Sequence, residues 1–207
     1  MPFRRSQRRK KDTQTLILLL VSALALLAAY GAWKGLAAIR KYTASSQKYD
    51  TLILEISERH GVDPCLVKAV IWRESRFRPY ARGTSGEIGL MQIKYEAAKD
   101  WARAMDVAVP AKEDLYDPYL NITIGVWYLG RALSRWQGRS TTTGLALFEY
   151  NAGRRTVITW IAHYDGDTKA VIDRGPSARY IRAIMKNILA LKKTTKASPA
   201  EIIASNP

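Results

Sequence analysis

Apolar residues follow two different patterns along this chain. From Thr13 to Trp33 no residue is charged, and Leu16 to Leu27 is almost purely aliphatic. After residue 48 the apolar positions instead recur at helical spacing. Tyr49, Leu52, Ile53 and Ile56 form one stripe, which closes near Gly61. Asp63-Pro64 is a helix start, an N-cap followed by proline in the first turn. That helix should fade before Pro79. Asp117-Pro118 repeats the signal, Ile122, Val126, Leu129 and Leu133 follow at helical spacing, and Gly138 can end the run. Thr143 to Tyr150 reads as an apolar helix closed by Asn151-Ala152-Gly153, a C-cap composition. Thr156 to Tyr164 reads as another helix. Ser177 to Leu191 carries Ile181, Ile184, Ile188 and Leu191 on one face. Few runs alternate at the strand period, so the expected fold class is all-α or nearly so. The expected divisions are a basic segment 1–12, an apolar span 13–33, a polar stalk 34–48, a folded domain 49–193 and a loose tail 194–207. No internal repeat is visible.

The apolar span is just long enough to cross a bilayer, which takes roughly 20 apolar residues. Arg4, Arg5, Arg8, Arg9, Lys10 and Lys11 precede it and outweigh Lys34 after it. The positive-inside rule then keeps the N-terminus in the cytoplasm and exports everything after Trp33. Tyr30 and Trp33 stand where interfacial aromatics are expected. The competing reading is a cleaved signal peptide, whose apolar region runs roughly 7–15 residues. Ala23-Leu24-Ala25 lies inside the apolar core, where cleavage is not normal, so an uncleaved anchor is preferred. No cysteine stands directly after the run to carry a lipid.

The formal net charge is +15, concentrated around the apolar span, with Arg40, Lys41 and Lys48 on its far side. The rest of the chain is only mildly basic. Nucleic acid is therefore not expected as a partner, and an anionic envelope polymer or a lipid surface suits the charge equally well. Cys65 is the single cysteine, and His60 and His163 stand apart, so no zinc site and no cofactor are expected.

One charged residue breaks the amphipathic pattern. In the helix opened by Pro64, Val67, Val70 and Ile71 mark the core face, and the next position on that face is Glu74. Burial disfavours a carboxylate's charged form, and the negative end of the helix acts in the same direction. Both favour a protonated glutamate near neutral pH, which is what a general acid needs. The alternative is an ion pair with Arg73, Arg76 or Arg78.

The surrounding residues form an ordered series. Glu74-Ser75 is followed by Gly89-Leu90-Met91-Gln92, then by Asp117-Pro118 with Asn121-Ile122, Gly125 and Tyr128-Leu129. Tyr150-Asn151-Ala152-Gly153 completes it. In order and spacing these blocks resemble the signatures of the Slt-type lytic transglycosylases, a family similar to goose-type lysozymes. The resemblance spans about Tyr49 to Lys192. It implies a lysozyme-like helical fold with a sugar-binding groove. It implies cleavage of the β-1,4 bond between N-acetylmuramic acid and N-acetylglucosamine in peptidoglycan. Carried over by position, Glu74 is the lone acid/base and the product is a 1,6-anhydro sugar. No second catalytic carboxylate is then required, unlike the usual pair. Ser75, Gly89, Met91, Gln92, Tyr150, Asn151 and Tyr180 are the expected substrate-binding residues. Gly89 would admit the backbone to substrate, Met91 would offer an apolar surface, and Gln92 a donor and acceptors. Gly125 reads as helix packing and Asp117 as a cap.

The series departs from that family at four places. Position 83 is glycine where the family often has a serine that meets the N-acetyl group, so that contact is either absent or made by Thr84 or Ser85. Positions 87 and 149 are glutamates where small residues are usual. The last block, often Glu-Thr, reads Pro176-Ser177-Ala178-Arg179-Tyr180, and Pro176 cannot replace a carboxylate. A further carboxylate from Glu87 or Glu149 would permit water activation, hence a hydrolytic muramidase on the same fold. A non-catalytic wall-binding scaffold is the reading from another class. The expected location is the bacterial inner membrane, with a single pass and the folded domain on the extracytoplasmic side.

Overall fold

A computed structural model describes residues 19–37 and 45–196, with side chains described as far as residue 193. The basic segment 1–12, the first residues of the expected anchor, part of the stalk and most of the tail lie outside the described residues.

The chain divides into two compact units, 1–44 and 45–207. The first contains α1, Leu19–Ala37, whose length and hydropathy suffice to cross a membrane. Leu19, Leu20, Leu24, Leu26 and Leu27 are all well exposed on it. A helix that is apolar all round needs a non-aqueous environment. This helix continues past Trp33 into the segment expected to be stalk.

The second unit is built from α2 (Asp50–Arg59), α3 (Pro64–Ser75), α4 (Tyr95–Met105), α5 (Pro118–Trp136), α6 (Thr142–Ala152), α7 (Arg154–His163), α8 (Thr168–Arg174) and α9 (Ala178–Lys196). A short 3-10 helix, Glu113–Tyr116, precedes α5. Two isolated bridges, Arg82 with Ile88 and Ile88 with Ile93, are the only extended pairings among the described residues.

Both Asp-Pro starts act as the side-chain chemistry requires. The Asp63 carboxylate accepts from Cys65 N–H at 2.8 Å and opens α3. That of Asp117 accepts from Leu120 N–H at 2.9 Å and opens α5. Gly138 and Gly153 adopt left-handed φ values of 80° and 82° just beyond α5 and α6.

The core lies between α5, which packs on α2, α4 and α6, and α3, which packs on α2 and α9. Val67, Val70 and Ile71 are completely buried, as are Ile122, Val126 and Leu129. Some boundaries shift from expectation. Ser46 and Tyr49 are already buried, so the folded unit begins slightly earlier than 49. α9 runs to Lys196, past the expected start of the tail. α4, the 3-10 helix and α8 are additional to the expected elements.

Candidate active site

Glu74 is the penultimate residue of α3. The helix stops abruptly there because Arg76 and Phe77 both take left-handed backbone conformations, with φ of 55° and 58°. Consecutive non-glycine residues in this region are costly and need surrounding support. Phe77 has it: its ring is buried and stacks on Tyr49 with centroids 6.5 Å apart.

The Glu74 side chain enters a groove of about 660 Å3. Gln92, Tyr150, Asn151, Thr84, Glu87 and Glu149 line it as well, together with Gly83, Lys94 and Tyr128. Burial raises the Glu74 carboxyl above the ordinary value. A hydrogen bond from Tyr180 and the positive charge of Arg73 oppose this, whereas the charge of Glu87 adds to it. The Tyr180 hydroxyl donates to Glu74 Oε1 at 2.5 Å.

The neighbouring arginines are engaged elsewhere. Arg73 lies over the Tyr180 ring, 5.4 Å from its centroid, and Arg76 lies over Trp72 at 4.3 Å. Arg78 Nε donates to the Ser75 carbonyl at 2.9 Å. Glu74 thus has a carboxyl raised by burial and no ion-pair partner among the described residues.

The opposite wall is the loop 81–93, folded back on itself by Gly83 N–H to Glu87 O and by paired bonds between Ile88 and Ile93. One buried side chain of α5 anchors it. Asn121 Oδ1 accepts from Met91 N–H at 2.8 Å, and its Nδ2 donates to the carbonyls of Ile88 and Leu115 at 2.9 and 2.7 Å. Tyr150 donates to the Met91 carbonyl at 2.8 Å. Burial and the charge of Glu74 push the Tyr150 phenol well above its ordinary pKa, so it stays a donor.

Gln92 takes φ of 51° at the end of this loop. Its Nε2 donates to Ala81 O and Gly89 O at 3.2 and 2.9 Å, so its amide donors serve the loop and Oε1 remains as an acceptor. Asn151 lines the groove while its Nδ2 donates to Ser177 Oγ at 2.8 Å. Tyr180 is buried behind Glu74.

Three expected substrate contacts sit elsewhere. Ser75 is fully buried, and its hydroxyl donates back to Ile71 O at 3.2 Å, so it stabilises the end of α3. Met91 is also fully buried, because its sulfur fills the gap left by Gly125. A Cβ at Gly125 would lie 2.4 Å from Met91 Sδ. Gly89 has φ of 81°, and a Cβ there would fall 2.2 Å from Asn121 Nδ2. Its missing side chain therefore makes room for Asn121, not for substrate.

The two unexpected glutamates differ. Glu149 accepts from Arg135 Nη1 and from Trp136 Nε1, the latter at 2.8 Å, and is tied down structurally. Burial alone would raise Glu87, but hydrogen bonds from its own and the Ser85 backbone N–H, with Lys94 at 3.6 Å, hold it below the ordinary range. A Cβ at Gly83 would lie 2.2 Å from Glu87 Oε2. Glu87 thus occupies the space that a side chain at 83 would need. Among the described residues no His, Cys, Asp and Glu groups cluster as metal ligands.

Comparison with known proteins accords with this geometry. Residues 51–172 match the family described as Transglycosylase SLT domain. The chain is 31% identical over 135 residues to a membrane-bound lytic murein transglycosylase C of Edwardsiella ictaluri, covering 62% of this chain and 38% of that protein. A protein of the same name from Salmonella typhimurium is 31% identical over 119 residues, covering 55% and 33%. The chain therefore spans little more than a third of the length of these relatives. Its fold is similar to the soluble lytic transglycosylase SLT70 of Escherichia coli, with TM-score 0.64, 22% identity and coverage of 74% and 26%. It is also similar to an inactive variant of lytic transglycosylase Slt from Pseudomonas aeruginosa, with TM-score 0.60, 23% identity and coverage of 72% and 25%.

Proposed function

Because this chain belongs to the transglycosylase SLT domain family, we propose that it is a peptidoglycan lytic transglycosylase with Glu74 as its single acid/base. The observation that carries this reading is the partly buried Glu74, its carboxyl raised above the ordinary value by burial, in a groove large enough for sugars. Its neutral form donates the proton to the oxygen linking N-acetylmuramic acid to N-acetylglucosamine. The C1–O bond breaks and the leaving sugar departs as an alcohol. The carboxylate then removes the proton from the muramic acid's C6 hydroxyl, whose oxygen closes on C1. The product end is 1,6-anhydro, the proton is back on Glu74, and no water is consumed.

Tyr180 fixes the carboxyl through Oε1, leaving Oε2 for the proton. Gln92 Oε1 and Asn151 would meet sugar hydroxyl and acetamido groups, with Tyr150 beside them in the groove lining. Ser75, Gly89 and Met91 support the site from within the core. The helix α1 would hold the domain at the bacterial inner membrane in a single pass, with the preceding basic residues keeping the N-terminus in the cytoplasm.

Hydrolysis by water is the second reading, and the ionised Glu87 in the groove wall is what favours it. Glu74→Gln tests the main reading. Cleavage of purified peptidoglycan should fall on the order of 10²–10⁴-fold, the usual contribution of a positioned acid/base. Full activity in that variant refutes the assignment.

A further inference from the structure

A second concavity, of about 490 Å3, opens beside the groove. Arg73 from α3, Arg174 from the end of α8, and Arg179 and Arg182 from α9 all line it. Asp173 is the one carboxylate in that lining. It is already committed to Lys169 at 2.5 Å. Arg182 Nη1 donates to the Asp173 backbone carbonyl at 3.0 Å. Arg174 and Arg179 make no hydrogen bond or ion pair among the described residues, and both are exposed.

The close turn between α8 and α9 gathers these charges. Gly175 permits it, since a Cβ there would lie 2.4 Å from the Val171 carbonyl. Four arginines share this lining with one carboxylate, Asp173, which feels the charges of Arg182 and Arg174 as well as that of Lys169, so positive charge remains in excess. Their planar forks match carboxylates in particular.

The position of this pocket identifies the anion. Asn151 lines both concavities. Tyr180 walls the second one while its hydroxyl reaches Glu74. The arginines therefore begin where the reacting centre ends. A polymer cut beside Glu74 and carrying acidic side branches can lay a branch here.

We propose that the arginine pocket between α3, α8 and α9 binds the carboxylates of the peptide stems that branch from the glycan strand. This rests on the groove being a peptidoglycan-cleaving site. A phosphate-bearing lipid headgroup is the competing anion. The concave shape and the shared Asn151 favour the stem.

The test uses the full chain in detergent with glycan strands bearing intact stems, and with the same strands stripped by an amidase. The Arg174→Gln/Arg179→Gln double variant should raise KM for stem-bearing strands relative to bare strands on the order of fivefold, as expected for two exposed charge pairs. An equal change on both substrates, or none on either, overturns the proposal.

A second measurement needs no catalysis. Released stem tetrapeptide titrated into the Glu74→Gln chain should bind, and should bind more weakly when Arg174 and Arg179 are also changed. Binding of glycerol phosphate but not of tetrapeptide also overturns it, in favour of a headgroup. Failure of the catalytic reading looks different: neither kind of strand is cleaved, whatever the titration gives.

Discussion

Glu74 is held between opposing influences, and each can be varied separately. Burial and the charge of Glu87 favour its proton, whereas Tyr180 and Arg73 favour the carboxylate. Cleavage requires the protonated form first, so activity should fall as pH rises through the elevated Glu74 pKa. Tyr180→Phe removes a hydrogen bond to the charged form and should move that fall to higher pH. Glu87→Gln removes a neighbouring negative charge and should move it to lower pH. Measured kcat/KM profiles of the two variants should therefore shift in opposite directions. Profiles that stay where the parent's lie would show that neither group acts on Glu74, and parallel shifts would contradict one of the two assigned signs. The same shift affects folding. A carboxyl whose folded pKa is raised contributes its full stability below the unfolded pKa and loses it as pH climbs through the folded one. Glu74→Gln should thus melt at a higher temperature than the parent chain near neutral pH. That advantage should shrink as pH falls toward the ordinary carboxylate range.

Among the elements, the loop 81–93 matters most, since it carries Gln92 and Glu87 opposite α3. Its shape depends on Asn121, whose three hydrogen bonds are all buried. Asn121→Ala would strand one N–H and two carbonyls, at a cost of about 3 kcal/mol or more. Gly125→Ala would press on Met91, at about 1–3 kcal/mol. Urea unfolding of both variants checks these values, and a loss under about 0.5 kcal/mol in either would mean that the loop is not held this way. This is also where sequence reading was least complete. Periodicity disclosed α3, α5, α6 and α9 because each buries a clear apolar face, and the two Asp-Pro starts gave their first turns. α8 is short. α4 buries only Ala98 and Ala102 completely, although Tyr95, Ala97 and Trp101 also pack on the core. Glu74 was legible because a carboxylate on a core face is costly and conspicuous. Asn121 was visible within a block, but a buried amide looks like any other asparagine until its partners, remote in sequence, are known. Met91 and Gly89 misled for the same reason: their packing partners lie on α5.

At the scale of the whole molecule, an apolar helix and a helical domain share one chain. If α1 is an anchor, the protein should sediment with membranes and resist extraction by high salt or alkaline carbonate, while detergent releases it. Recovery in the soluble fraction after salt alone would contradict an anchor. The chemical claim is wider than any one residue, because it concerns where the proton and the attacking oxygen come from. Mass spectrometry of the sugar ends released by the detergent-solubilised chain tests it most directly. If the muramic acid's own hydroxyl attacks C1, each new end is lighter by one water than a reducing end. Reducing ends of full mass would mean that water attacks instead, and that Glu74 has a second carboxylate at work beside it.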